Sequence, residues 1–306
     1  MRTALVFGGS GQIGVPVIEL LLAAGWQVVA VSREIQADGD RLRWLRGDLQ
    51  HVQGLPAEVD VIFSLGPLDH FSRWYEQASL VAPRIVAFGS TSIDTKCGSD
   101  DPAERDLAAR LRNAETLVFD IAERRQAAAT ILRPTLVYGA GRDKTLTQIA
   151  RMASRSGFFV LPRTARGLRQ PVHVLDLAQA ALAVIQVDRT FGRSYALPGG
   201  ETLGYAEMVE RMLGSLQPPA KLFRLPIPLF KTVLSAAHAL GRLQGLGDAA
   251  LLRMGEDLVF DASPAMRDFG YAPRVFQPDA RWFEQSAYAF RRECELPAQY
   301  FQPILR

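Results

Sequence analysis

Gly8, Gly11 and Gly14 stand three residues apart near the start of the chain, inside Thr3-Ala-Leu-Val-Phe-Gly-Gly-Ser-Gly-Gln-Ile-Gly14. Glycines at that spacing suit a diphosphate. One makes a tight turn, one lets the phosphates approach the backbone, and one lets a helix pack closely on the preceding strand. Gln12 and Ile13 would then present backbone N–H groups at the helix start, where the positive end of the helix dipole favours an anion. A second set of candidate groups is the hydroxyl run Ser90-Thr91-Ser92, which suits hydrogen bonding to a substrate oxygen; ordinary turn chemistry is the competing reading. At Val31-Ser32-Arg33-Glu34, the residues about 20 positions past the glycines decide between cofactors. An acid there accepts from a free ribose 2′-hydroxyl, and Arg suits a 2′-phosphate. Ser32 and Arg33 favour NADP over NAD, Glu34 argues the other way, and a solvated loop charge is the bland reading of Arg33.

These groups need elements to hold them. The apolar run Thr3 to Phe7 reads as a buried strand, and Ile13 to Leu22 as a helix with Pro16 in its first turn, where a missing N–H costs little. Trp26 to Val31 reads as the next strand, so the glycines sit within a βαβ unit. Further strands are expected at Leu42–Leu45, Asp60–Leu65, Arg84–Gly89 and Ala129–Leu132. Helices are expected from about His70 to Val81 and from Asp101 to Arg125. Leu107, Leu111, Ala114, Val118 and Ile121 recur at helical spacing and give the second of these an apolar face. Alternating strands and helices over the first 130 residues or so predict an α/β, Rossmann-type, doubly wound parallel sheet. The hydroxyl run then falls at the carboxyl end of the fifth strand, where such sheets bind ligands.

The glycine spacing, Gly47-Asp48-Leu49, Leu132-Arg133-Pro134, Tyr138-Gly139, Pro171-Val-His-Val-Leu-Asp176 and the segment Phe260 to Pro273 together resemble the extended short-chain dehydrogenase/reductases, the group with NAD-dependent epimerases and dehydratases. The resemblance spans nearly the whole chain. It implies adenine contacts from Asp48 and Leu49 and cofactor contacts at Leu65 and Gly66, with Gly66-Pro67 where that group usually has small residues beside the cofactor. It also implies a smaller mixed α/β C-terminal substrate lobe, with the dinucleotide domain over 1–141 and the lobe over 142–306, some of whose segments return to the first domain. Arg163, Arg166 and Arg169 fall in a loop where that group often grips a diphosphate or other anion, a task for which the planar guanidinium is suited; a solvated charged loop is the alternative.

Members of this superfamily use a Tyr and a Lys four residues later. That spacing puts both on one helical face, and the ammonium lowers the phenol's pKa for proton transfer. Aligning Ala114-Glu115 with the usual Ala-Glu places Leu107 in the Tyr position and Leu111 in the Lys position. No Tyr in the chain has Lys four residues on, and Lys96 is the only Lys between Tyr75 and Tyr138. The chain is therefore expected to be an atypical member. Tyr138 is a candidate replacement proton carrier, with Asp94 and Lys96 as loop charges that could reach a substrate. His173 reads as a hydrogen-bonded histidine at a turn-to-helix junction.

Composition bounds the rest. The 306 residues carry a net charge of +3 and 48% apolar content, which suits an ordinary globular protein and implies no nucleic-acid partner. No stretch reaches the roughly 20 apolar residues of a membrane span, no secretory leader is read, and two cysteines fit a reducing compartment, so a cytoplasmic protein without a membrane partner is expected. No metal-ligand spacing is present. The expected function is an NAD(P)-binding oxidoreductase or epimerase-like enzyme with a non-standard proton donor or acceptor. Its partners would be a small-molecule substrate, anionic or nucleotide-linked, and a second copy joined through the helix Asp101 to Arg125. A non-catalytic NADP-binding sensor or assembly protein is the alternative.

Overall fold

The computed structural model describes residues 2–143, 145–239 and 248–283. Through the first half the order is β1 (Thr3–Phe7), α1 (Gly14–Ala23), β2 (Gln27–Ser32), β3 (Leu42–Arg46), β4 (Val61–Ser64), α2 (Leu68–Gln77), β5 (Arg84–Phe88), the single turn α3 (Ser92–Thr95), α4 (Pro102–Arg124) and β6 (Ala128–Pro134). The second half adds β7 (Val137–Tyr138), α5 (Leu146–Ser156), β8 (Phe158–Pro162), β9 (Leu168–Arg169), β10 (Val172–His173), α6 (Val174–Ala183) and β11 (Arg193–Leu197). It continues with β12 (Leu203–Gly204), α7 (Tyr205–Ser215), β13 (Lys221–Leu225), α8 (Ile227–Ala239), α9 (Asp248–Arg253) and α10 (Ser263–Phe269).

Seven strands form one parallel sheet in the order β3-β2-β1-β4-β5-β6-β11. Side chains alternate across it, as a period of two requires. Ala4, Val6, Val61, Phe63, Val86 and Phe88 face the layer of α1 and α6. Leu5, Phe7, Ile62, Ile85 and Ala87 face α2 and α4 on the other side. With both faces covered, β4 and β5 are buried at every position, which is why they read as unbroken apolar runs. The chain order reverses between β1 and β4, so a crevice opens at their carboxyl ends, the usual ligand position in such sheets.

One boundary departs from expectation, for a clear reason. α2 ends at Gln77 because Ala78 turns extended and Val81 leaves to exchange backbone hydrogen bonds with Ala57 and Val59. The second-half strand Arg193–Leu197 joins the main sheet as its seventh member, pairing with β6 from Thr130 to Pro134. α6 and Ala265 of α10 pack in the core of the main sheet, whereas α5, α7 and Tyr138 share a separate core. Residues 240–247 lie outside the described residues, as does Cys294.

Candidate functional site

The glycine loop has the shape its spacing implies. Gly8 adopts φ +77°, and a Cβ there would lie 3.1 Å from the Leu65 carbonyl carbon across the crevice. A Cβ on Gly14 would lie 2.1 Å from the Gly8 oxygen and 2.5 Å from that of Gly9, so only glycine lets α1 approach β1 this closely. The loop is pinned by a 2.9 Å bond from Gly11 N–H to the Gly8 carbonyl. α1 begins with no side-chain cap and no acid in its first turn, leaving its N–H groups and dipole for an anion. Ile13 is buried in the core, whereas the Gln12 Oε1 is buried without a partner among the described residues. These features fit the diphosphate of a dinucleotide.

At the tip of β2, Ser32 is buried with its hydroxyl 3.1 Å from that of Ser10, and Arg33 and Glu34 are exposed beside it. Asp48 Oδ1 accepts from the backbone N–H groups of Gln50 and His51 at 2.8 and 2.9 Å. Those two bonds hold its carboxyl below the usual range, with the Arg33 charge adding a smaller effect. Asp48 is exposed and Leu49 half-buried. Leu65 and Gly66, also half-buried, lie across the crevice, and no atom approaches the Cβ position of Gly66.

Beyond Gly66 lies a cleft of about 380 Å³ between α2 and α4. Gly89, Ser90 and Ser92 line it at the end of β5, Leu68, Phe88, Leu107 and Leu111 supply apolar wall, and Asp69, His70 and Arg110 complete it. Arg110 donates to Asp69 at 3.2 Å and to Asp106 at 2.9 Å. Ser90 accepts from the Ser92 N–H at 3.1 Å. Thr91 is turned inward instead, buried, with its hydroxyl donating to the Pro134 carbonyl at 3.1 Å. Leu107 and Leu111, the two positions that the resemblance assigns to proton relay, both reach this cleft as aliphatic side chains.

The other candidates are placed elsewhere. Tyr138 is fully buried against His173, Phe276 and Trp282, its hydroxyl has no partner among the described residues, and burial pushes its pKa well up. His173 accepts from the Leu175 N–H through Nδ1 at 3.3 Å, capping α6. Burial, helped by the Arg274 charge, holds its pKa well below 6.5 and keeps it neutral. Arg163 and Arg166 are exposed. Arg169 is buried; it donates to the carbonyls of Leu168, Glu256 and Arg253 and lies over the Tyr205 ring. Asp94 flanks Arg133 at 3.6 Å, and Lys96 reaches Glu104 at 3.5 Å. The face of α4 read as a dimer seam is used within the chain: Ala114, Val118 and Ile121 are buried against the sheet and α2. No group of His, Cys, Asp and Glu among the described residues could hold a metal.

Sequence reasoning missed His70, Arg110 and Arg142. His70 follows Gly66-Pro67 by a few residues, and Arg110 precedes Leu111, so their neighbours were signals. Their convergence depends on how α2 packs on α4, which no local pattern encodes. Arg142 donates to the Ser10 carbonyl from far along the chain.

Comparison with known proteins agrees with this geometry. Residues 96–196 match the NAD dependent epimerase/dehydratase family. The 2-alkyl-3-oxoalkanoate reductase of Stenotrophomonas maltophilia is 26% identical over 89% of this chain and 94% of its own. The NADH dehydrogenase [ubiquinone] 1 alpha subcomplex subunit 9 of Arabidopsis thaliana is 26% identical over 75% of this chain, which spans 62% of that protein's length. The UDP-glucuronic acid 4-epimerase of Bacillus cereus, solved with NAD, superposes with a TM-score of 0.68 at 13% identity, covering 95% of this chain and 99% of its own.

The sheet order and glycine loop define a Rossmann-type, doubly wound α/β protein. Within that class the chain is similar to the NAD dependent epimerase/dehydratase family over residues 96–196 and, at 26% identity or below, to the relatives named above.

Proposed function

We propose that this protein binds NADP in preference to NAD across the β1/β4 crevice and acts as an oxidoreductase or epimerase-like enzyme on a small substrate in the adjoining cleft. The observation that carries the reading is the continuity of the two sites: Gly8 faces Leu65, and Gly66 begins the cleft that Ser90 and Ser92 line. The bound nicotinamide would supply hydride chemistry. The glycine loop and α1 would hold the phosphates, Arg33 and Ser32 the 2′-phosphate, and Asp48 and Leu49 the adenine side. Ser90 and Ser92 would orient a substrate oxygen. The aliphatic Leu107 and Leu111 neither donate nor accept a proton, so it would pass through another cleft group or water. Arg163 and Arg166 are free to meet an anionic or nucleotide-linked substrate, a task Arg169 is not placed for. Domains divided at residue 141 and a cytoplasmic homodimer belong to the same reading.

Leu107 and Leu111 favour a second reading, a nucleotide-binding sensor or assembly protein without turnover, and the plant relative bears the name of a respiratory-complex subunit. Calorimetric titration with NADPH and with NADH, repeated on Arg33→Ala, tests the first. NADPH is expected to bind more tightly than NADH, with Arg33→Ala weakening NADPH alone by about tenfold or more, the range for a lost charge-assisted hydrogen bond. Failure of both nucleotides to bind would end the proposal. A carbonyl and alcohol substrate screen on the loaded protein then separates the two readings.

A further inference from the structure

The geometry points to Arg142 as a cofactor-binding residue supplied by the second half of the chain, an arm whose guanidinium grips the phosphates of a dinucleotide at the glycine loop. This rests on the reading of that loop as a dinucleotide site. Arg142 donates to the carbonyl of Ser10, between Gly8 and Gly11, and the Ser10 hydroxyl lies 3.1 Å from that of Ser32 at the tip of β2. The cation thus sits over the loop, toward the side where the ribose would lie.

Its backbone is held on both flanks. Before it, Gly139 and Gly141 turn the chain with φ +111° and +61°. The Gly141 carbonyl accepts from Arg151 at 2.8 Å, and its N–H donates to the Trp282 carbonyl at 2.7 Å. After it, the buried Asp143 accepts from the N–H groups of Thr145 and Thr147 at 3.0 and 3.1 Å and from the Thr147 hydroxyl, fixing the start of α5. A side chain mounted on so constrained a segment needs little further ordering to bind.

Charge supplies a separate line of support. Arg142 is exposed, and among the described residues no carboxylate pairs with it. Among the described residues, only one of its five N–H donors is engaged, by a neutral carbonyl. An unpaired guanidinium over a glycine turn, beside an uncapped helix N-terminus with no acid in its first turn, forms an anion site from three independent parts. The 2′-phosphate is Arg33's part; Arg142 acts on the diphosphate that NAD and NADP share.

The test is calorimetric titration of the full chain with NADPH, NADH and inorganic pyrophosphate, for wild type, Arg142→Ala, Arg142→Gln and Arg142→Lys. Arg142→Ala should weaken all three by about tenfold or more, in contrast to Arg33→Ala, which touches NADPH alone. Arg142→Gln keeps a donor for the Ser10 carbonyl but no charge, and should bind as poorly as Ala; Arg142→Lys should recover part of the loss. Thermal unfolding of each variant shows that the fold is kept. If Arg142→Gln restores wild-type affinity, or Arg142→Ala never loses it, Arg142 is a strut between the two halves and the proposal is overturned while the dinucleotide reading stands. If wild type itself binds no dinucleotide, both fall together.

Discussion

The glycine loop and the cleft between α2 and α4 lie side by side at the same crevice, and they relate to the family pattern in opposite ways. The loop keeps all three glycines and an open helix start; the cleft carries Leu107 and Leu111 where the resemblance expects Tyr and Lys. The difference is physical. Phosphate is held largely by backbone N–H groups and a helix dipole, which survive most side-chain changes so long as no Cβ intrudes. Proton relay depends on two side chains of matched pKa, and two substitutions remove it. One region is therefore constrained by sterics and the other by chemistry.

The largest expected effect exploits that contrast. Gly14→Ala puts a methyl 2.1 Å from the Gly8 oxygen. Because the obstacle is backbone, α1 must shift off β1, and a loss of about 3 kcal/mol or more is expected. Leu107→Ala, at a half-buried position facing the cleft, should cost about 1 kcal/mol, below the range for fully buried leucines. Urea unfolding of both variants checks the pair, and equal losses would erase the distinction between a sterically set loop and a tolerant cleft.

A smaller effect concerns His173, which packs against Tyr138 and Trp282 and does not line the cleft. The unfolded chain takes up a proton there near pH 6.5, while the folded chain holds the imidazole neutral well below that value because it is buried and faces the Arg274 charge. A depressed folded pKa means that the unfolded state binds more protons as pH falls. The stability linked to neutral His173 is thus fully present above about pH 6.5 and lost below it, by up to about 1.4 kcal/mol per pH unit. His173→Asn should remove that slope between pH 6.5 and 5, seen in urea midpoints measured against wild type. Parallel curves would mean that His173 is charged in the folded chain.

Much of the first half was legible because local rules and tertiary structure agree there. β1 and β4 to β6 read as apolar runs since they are buried on both faces, and Asp101-Pro102 announced α4 by an acid that caps the Ala103 N–H at 2.9 Å with proline at the first helical turn. The end of α2 was not legible, because Val81 leaves the helix to bridge Glu58, a contact with a distant segment. The placing of Arg193–Leu197 in the main sheet likewise rests on pairing with residues more than 60 positions earlier. At the site, Leu107 and Leu111 were picked out by the resemblance together with the absence of any Tyr with Lys four residues on. That Arg169 satisfies three carbonyls, that Thr91 turns inward and that the α4 face covers the chain's own sheet follow from packing, which leaves no mark on residue type.

The smallest expected effect falls on Tyr138, and it bears most directly on whether the cleft has a substitute proton carrier. The ring packs edge-on against His173 at 5.1 Å and Phe276 at 4.9 Å, and its buried hydroxyl has no partner among the described residues. Burial pushes the phenol's pKa up, away from the range in which a side chain exchanges protons near neutrality. Tyr138→Phe keeps the ring contacts and removes only the unpartnered oxygen, so stability should change by no more than about 1 kcal/mol, toward neutral or gain. Dinucleotide affinity should not move, nor should any turnover found in the substrate screen. A loss of turnover of about 100-fold at unchanged affinity, the scale of a missing general acid or base, would instead bring the phenol into the reaction and require the second half to open when substrate binds.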